Sequence, residues 1–404
     1  MKSFFITLII TFTLHSCTSE KKPKTLTTGS YKASLLIQDN EQIPFIFDVL
    51  NDKKINIYNA NEVISVHEIS YNNDSVTIQL PYFEGYIKAK INNESITGYF
   101  VKPSLNRIVS FVATPNLPRF AITATPTQNV TGNWETVFSP NSEEDKYIAK
   151  GIFTQNNNKV TGTFRTTTGD YRYLEGIING DSLQLSTFDG AHAFLFAAKV
   201  SDSIMKGIFY SGNHWKEPFT AKLNNDFELP EAESLTNLKE GYETLEFSFP
   251  DENDNIISLK DDRFKDKVVV VQIMGTWCPN CLDESKFYAD YYTKNKNKDI
   301  EFVALAFEVA KTKEEGFAFI KRLKEQTEIN YPVLLAQYGS SSKIDAQKKL
   351  PMLDHVLSYP TTVFIDKKGK VRKIHTGFNG PATGQKYEDF KKKFNDFITE
   401  LLQE

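Results

Sequence analysis

The sequence predicts a multidomain chain: an antiparallel all-β N-terminal region, barrel-like and bearing signs of duplication, followed by a C-terminal α/β domain. Three observations predict it. From about Ser30 to Leu223 the pattern is short alternating runs separated by turn residues, with no helical period. After Gly241, continuous apolar runs alternate with amphipathic ones. The length, 404 residues, exceeds what one core organises. Composition narrows the function. A hydrophobic share of 40 % with 24 % charged residues excludes disorder over most of the chain. Lys plus Arg, 47, nearly balances Asp plus Glu, 51, and no long basic block occurs, which argues against a nucleic-acid partner. With 3 cysteines the chain is no disulfide-stapled scaffold.

The chain opens as an export signal. Lys2 gives a positive start. Phe4–Leu14 (FFITLIITFTL) is too short to cross a bilayer, which takes roughly 20 residues, but suits the apolar core of a secretory signal. Leu14-His15-Ser16-Cys17 follows and resembles the bacterial lipobox, with His15 a departure from its usual composition. That resemblance implies cleavage after Ser16 and acylation of Cys17, hence a lipid-bilayer partner; a plain cleaved signal is the alternative. Residues 1–16 are expected as a signal peptide and 17–29 as a tether, polar through Thr18–Lys24 (TSEKKPK). The expected location is the cell envelope, as a periplasm-facing membrane lipoprotein, where disulfides form and are exchanged.

Two β-rich units are expected, 30–114 and 130–223, joined by the Pro- and Thr-rich Ala113–Val130. Ser75–Leu80 (SVTIQL), Ile91–Phe100 around the Asn92-Asn93 turn, and Lys159–Arg165 (KVTGTFR) are examples of the short alternating runs. Lys88–Gly98 (KAKINNESITG) aligns with Ala197–Gly207 (AAKVSDSIMKG), setting Lys90 over Lys199, Ser95 over Ser203 and Gly98 over Gly207. Gly29-Ser30-Tyr31 and Gly132-Asn133-Trp134 would open the two units. Tyr82, Phe83, Tyr86, Phe194 and Phe196 are candidates for lining a cavity, with ordinary core packing the plainer reading.

The polar, acidic Asn224–Gly241 marks the next boundary, and 241–404 reads as one domain. Val268–Met274 (VVVVQIM) is an apolar run interrupted only by Gln272, as in a strand buried on both faces, and Ile300–Phe307 (IEFVALAF) reads as the next buried strand. Pro279–Tyr292 has helical character, and Lys313–Lys324 sets Phe317, Ile320 and Leu323 on one face. Thr361–Ile365 and Val371–His375 read as a hairpin. Tyr387–Leu402 reads as a closing amphipathic helix with Phe390, Phe394 and Ile398 on its stripe. Ala310–Leu357 is expected to hold an added helical insertion.

The chemistry sits at Trp277-Cys278-Pro279-Asn280-Cys281. Two thiols at C-x-x-C spacing, where a buried strand gives way to a helix, can close a small disulfide ring. Unpaired N–H groups and the dipole of the first helical turn stabilise an anion at Cys278. Cys281, one turn on, can then resolve a mixed disulfide. Pro279 suits the first turn, having no N–H to leave unpaired. A zinc site, which normally takes four protein ligands, a pair of inert thiols and a static disulfide are the competing readings. No metal and no cofactor is expected.

Lys265–Cys281 (KDKVVVVQIMGTWCPNC) and, later, Tyr359–Asp366 (YPTTVFID) resemble thioredoxin-fold proteins, and more closely the TlpA/ResA-like thiol–disulfide oxidoreductases, over Gly241–Glu404. The resemblance implies that Cys278 and Cys281 form the catalytic redox disulfide. It implies Pro360 as the fold's cis-proline, with the Tyr359 backbone pairing with a client and Trp277 as an exposed platform. It also implies proton handling by Glu284, three residues after the second cysteine. Plainer readings are a trans proline, a core tryptophan and a solvated first-turn glutamate; His355 and His375 read as structural. Two departures stand out: Gln272 where thioredoxins carry a buried Asp, and Asn280 where many relatives carry Pro.

The function expected is a membrane-anchored extracytoplasmic enzyme, a thiol–disulfide oxidoreductase that reduces disulfides of client proteins. A membrane electron donor of thiol-transfer type would recharge it. Oxidase or isomerase activity is the near alternative. A client- or ligand-binding lipoprotein, with the β-rich region as its main part, is the alternative from another class. Peroxide reduction fits less well, because it wants a lone peroxidatic cysteine beside Thr and Arg.

Overall fold

A computed structural model describes residues 23–404; the export signal and Cys17 lie outside the described residues. The first nine-stranded antiparallel sheet runs from Gly29–Leu36 to Arg107–Pro115, and these two strands pair with each other. Its edge strands, Glu62–Val66 and Glu68–Asn72, are separated only by His67, so one bent segment joins both edges and rolls the sheet into a barrel. Alternate residues such as Phe45, Phe47 and Val49 point inward and are buried, which is the period-two pattern of a strand with one wet face. The second nine-stranded sheet closes outright. Tyr147–Asn156 pairs with Lys159–Thr166 on one side and with Gly132–Phe138 on the other, and Gly132–Phe138 pairs with Trp215–Leu223.

The two barrels share an architecture in which the first strand of each pairs with its last. Gly98 faces Ala89 across its ladder and Gly207 faces Ala198 across the other. At either glycine a Cβ would lie within 2.4 Å of a backbone carbonyl oxygen, of Lys88 or of Ala197, so both positions need glycine for the same reason. The second barrel is filled rather than hollow. Trp134, Phe138, Phe164, Phe196 and Phe219 are fully buried, and the four phenylalanines pack edge to face or tilted. Phe194 and Phe196 therefore belong to core and line no cavity.

The barrels are welded by buried polar groups. Asn59 of the first donates to Phe188 O of the second at 2.9 Å and accepts from Phe188 N at 3.1 Å. The connector supplies Arg119, buried, which donates to Asn59 Oδ1 and Pro44 O and faces Glu175 at 3.6 Å.

The C-terminal part has a five-stranded sheet in the order Val333–Gln337, Ile300–Phe307, Val268–Met274, Thr361–Ile365, Val371–Thr376. The first three are parallel and the last two antiparallel to their neighbours. Helix α1 (Pro279–Lys294) follows the central strand, α2 (Lys313–Thr327) crosses over to the edge strand, α3 (Lys343–Lys349) is short, and α4 (Gln385–Gln403) closes the domain. Ala310–Leu357 is thus a crossover helix, a parallel strand and a short helix, not a purely helical insertion. The alternation of an apolar run with a 15-residue helix is the sequence pattern of a βαβ unit, which needs that strand. Among the described residues no helix is long and apolar enough to cross a membrane.

Candidate redox site

Cys278 is the N-cap of α1, with extended backbone (φ −99°, ψ 117°), and Pro279 takes the first helical position. The Cys278 Sγ accepts the Cys281 backbone N–H at 3.2 Å, which is where a cap side chain meets the unpaired donors of a first turn. The two cysteines form a disulfide with Cα atoms 5.2 Å apart. They are unequal: Cys278 retains 6 % of its surface, Cys281 none. An incoming nucleophile or thiol therefore meets Cys278 first. The Tyr359–Pro360 peptide is cis, and the Tyr359 carbonyl oxygen lies 3.4 Å from Cys278 Sγ.

Trp277 is half-buried rather than an exposed platform. Its indole N–H donates to Phe307 O at 3.0 Å and its ring meets Tyr359 edge-on at 5.6 Å. Asn280 donates to Phe378 O at 3.0 Å and so ties the C-x-x-C loop to the loop before α4. His355 and His375 lie apart from the cysteines, each beside an acid, at 2.9 Å from Asp354 and 3.1 Å from Glu233.

Glu284 is fully buried behind the disulfide. Its carboxylate accepts from Gln272 Nε2 at 2.8 Å, Thr362 Oγ1 at 3.0 Å and the Tyr288 hydroxyl at 3.1 Å. Burial pushes it up to about 7 against the pull of those three donors. Gln272, the departure noted above, thus has a carboxyl beside it: the acid comes from the helix instead of the strand. Gln272 Nε2 also lies 3.4 Å from Cys281 O, which connects Glu284 to Cys281 through one side chain.

Sequence reasoning missed a second acid. Glu308, fully buried at the end of strand Ile300–Phe307, accepts both the backbone N–H and the hydroxyl of Thr276, at 2.8 and 2.7 Å. Burial raises it to about 7 as well. The available signal was a carboxylate directly after the six-residue apolar run Phe302–Phe307. Glu308 and Phe307 together hold the Thr276–Trp277 segment that leads into Cys278.

The barrels also reach the site. The tip of the second barrel, Thr166–Asp170, lies on it. Ser358 Oγ donates to Thr168 O at 2.9 Å, Gly380 N donates to Asp170 Oδ2 at 2.6 Å, and Gly169 leaves no room for a Cβ beside Asn280. Arg172 is buried where all three parts meet: it pairs with Glu62 of the first barrel, Asp189 of the second at 3.3 Å and Asp283 of α1 at 3.2 Å. Burial works against ionisation of Asp189, yet His192 and Arg172 outweigh it and hold that carboxyl low. On the opposite side, Phe83 of the first barrel is buried in the C-terminal core, and the Tyr82 N–H donates to Gln326 of α2 at 2.5 Å.

A strand-to-helix dithiol beside a cis-proline, in a sheet of this order, defines a thiol–disulfide oxidoreductase of thioredoxin fold. The family profile described as Redoxin matches residues 239–390. Thiol-disulfide oxidoreductase ResA of Bacillus thuringiensis subsp. konkukian is 30 % identical over 153 residues, 38 % of this chain and 77 % of that protein. The ResA of Bacillus subtilis is 31 % identical over 140 residues, 35 % of this chain and 69 % of that protein. A solved thiol:disulfide interchange protein of Chlorobium tepidum is 19 % identical, with a TM-score of 0.30, over 41 % of this chain and 98 % of that one. Through its C-terminal part the chain belongs to the ResA family of thiol–disulfide oxidoreductases.

Proposed function

We propose that this is an envelope lipoprotein that reduces disulfides of client proteins, with Cys278 as nucleophile and Cys281 as resolving thiol. The observation that carries the reading is the inequality of the pair: one sulfur at the helix cap beside the Tyr359 carbonyl, the other sealed behind it. In the reduced protein, the Cys278 thiolate attacks one sulfur of a client disulfide. The other client sulfur leaves as a thiolate and takes a proton, and a mixed disulfide forms. The Cys281 thiolate then displaces the client's remaining sulfur and closes the ring, so that two electrons have passed to the client. Glu284, three residues on, accepts and returns the proton of the Cys281 thiol. Pro360 and Tyr359 present the backbone against which the client lies, and Trp277 is its neighbouring wall. A membrane donor of thiol-transfer type returns the electrons, and Cys17, acylated after removal of 1–16, holds the protein at the bilayer. The domain boundaries proposed are 30–114, 130–223 and 241–404.

Insulin reduction by the purified protein, coupled to a dithiol reductant, tests the reading. Turnover that vanishes in Cys278→Ser supports it. Cys281→Ser should trap client proteins through Cys278 from an envelope extract, and a trapped client that carries its second cysteine as a free thiol supports the reductive direction. No catalysed exchange with Cys278 free would end the proposal.

A further inference from the structure

The barrels do not merely stand beside the redox site; they complete a second feature of it. Thr166–Asp170 of the second barrel covers one flank of the site. At Gly377 a Cβ would lie 2.7 Å from the Thr168 carbonyl carbon, so the contact on that side is backbone against backbone. A client cannot enter there while the barrel is docked. On the Trp277 flank the parts stand apart and leave a cavity of about 220 Å³. Its walls are Tyr82, Phe83 and Leu105 from the first barrel, Ala191 from the second, and Trp277 and Phe319 from the C-terminal part. The cavity is lined mainly by apolar groups and starts one residue from Cys278. An enclosed apolar space of about 150 Å³ is enough to hold benzene, so this one takes a ring with its methylene.

Two charged side chains, Lys102 and Glu84, border this apolar space. Lys102 donates to Ala191 O at 3.0 Å and pairs with no carboxylate among the described residues. Glu84, also at the cavity, is engaged by the backbone N–H and the hydroxyl of Ser104. Burial and the neighbouring Arg107 pull Lys102 down to about 8 against the more distant Asp189 and Glu84, which leaves it mostly charged at neutral pH, while those two acids are engaged by Arg172, His192 and Ser104.

Resting on the dithiol reading above, we infer that this cavity is a client-specificity pocket, which receives an aromatic side chain close to the client's reactive cysteine, with an acidic neighbour answering Lys102. The pocket exists only where three parts meet, which gives the barrels a task that a lone thioredoxin domain cannot perform. The recognised chemistry is a short acidic–aromatic stretch of polypeptide beside a cysteine.

The test uses the whole reduced protein and peptides whose single cysteine is bonded to thionitrobenzoate. Attack by Cys278 on the peptide sulfur releases the coloured thiolate and leaves the enzyme–peptide disulfide, which Cys281 then resolves. Phe is placed at each of the three positions on either side of the cysteine, with Ala peptides for comparison. The expected result is a second-order rate at least about tenfold higher for one Phe register than for Ala. Filling the pocket with Ala191→Trp, or with Leu105→Trp should the first variant fail to fold, should bring that ratio near one. An Asp next to the Phe should raise the rate further in the wild type and not in Lys102→Met. Equal rates for Phe and Ala peptides, with the bis(thionitrobenzoate) disulfide still reduced, would overturn the pocket and leave the dithiol reading standing. A Phe preference that survives both filled variants would overturn it equally. Failure to reduce any of these disulfides would instead remove the dithiol reading itself.

Discussion

Two fully buried acids flank the redox loop, and they separate by what they touch. Glu284 connects through Gln272 to Cys281, whereas Glu308 touches Thr276 alone. Both are pushed from 4.5 to about 7 by burial. An acid raised in this way keeps its proton in the folded state at a pH where the unfolded chain has lost it. Its effect on stability is absent at low pH and turns increasingly unfavourable as pH rises from the unfolded value through about 7, reaching about 3 kcal/mol for each group. Glu308→Gln should therefore lose less thermal stability than the wild type between about pH 5 and pH 8, by several degrees, while the pH profile of disulfide reduction keeps its shape. Glu284→Gln should relieve stability similarly but also remove the inflection of kcat/KM near pH 7 and lower the rate by about a hundredfold. Scanning calorimetry with stopped-flow reduction distinguishes the two; an unchanged profile in Glu284→Gln would reduce that residue to a structural part.

Among the elements, the hairpin that ends in Thr166–Asp170 and its neighbour Arg172 hold the barrels to the redox face. A buried guanidinium with three carboxylates on three parts of the chain cannot lose its charge without stranding those acids. Arg172→Met should cost about 3–5 kcal/mol in urea unfolding, and adding Asp283→Asn should recover part of it, since one stranded acid is then neutral. None of this was legible in the sequence. Arg172 sits in Thr166–Tyr173 (TTTGDYRY), which reads locally as a turn, and two of its partners, Glu62 and Asp283, lie more than a hundred positions away on either side. Arg119 in the Pro- and Thr-rich connector was hidden in the same way. The C-terminal elements were legible because their signals are local: an apolar strand, a C-x-x-C at its end, a helical stripe at Phe390, Phe394 and Ile398. The strand Val333–Gln337 was missed because four apolar residues and a glutamine between two helical stretches carry no period of their own. Strand alternation revealed β structure in the N-terminal half, but closure into barrels depends on pairings such as Gly132–Phe138 with Trp215–Leu223, which alternation does not specify.

Over the whole molecule, Cys278 keeps 6 % of its surface next to loops that the second barrel holds, and reaction at its sulfur is expected to depend on how firmly that barrel docks. Gly377 is the place to probe this. It stands at φ +76°, in the left-handed region, and its missing Cβ makes room for the Thr168 backbone. Alanine there meets a backbone neighbour rather than a pliable side chain, so the second barrel must shift as a body or the loop before α4 must yield. The polar ties around the contact, Ser358 to Thr168 and Gly380 to Asp170, hold that loop to the hairpin, which favours movement of the barrel. Gly377→Ala should then raise the alkylation rate of Cys278 in the reduced protein by about tenfold and enlarge the radius of gyration in solution scattering, while Cys281, fully buried in the first turn of α1, stays protected. A faster reaction at Cys278 with unchanged dimensions would place the give in the loop, and an unchanged rate would mean that the barrel does not limit access to the sulfur.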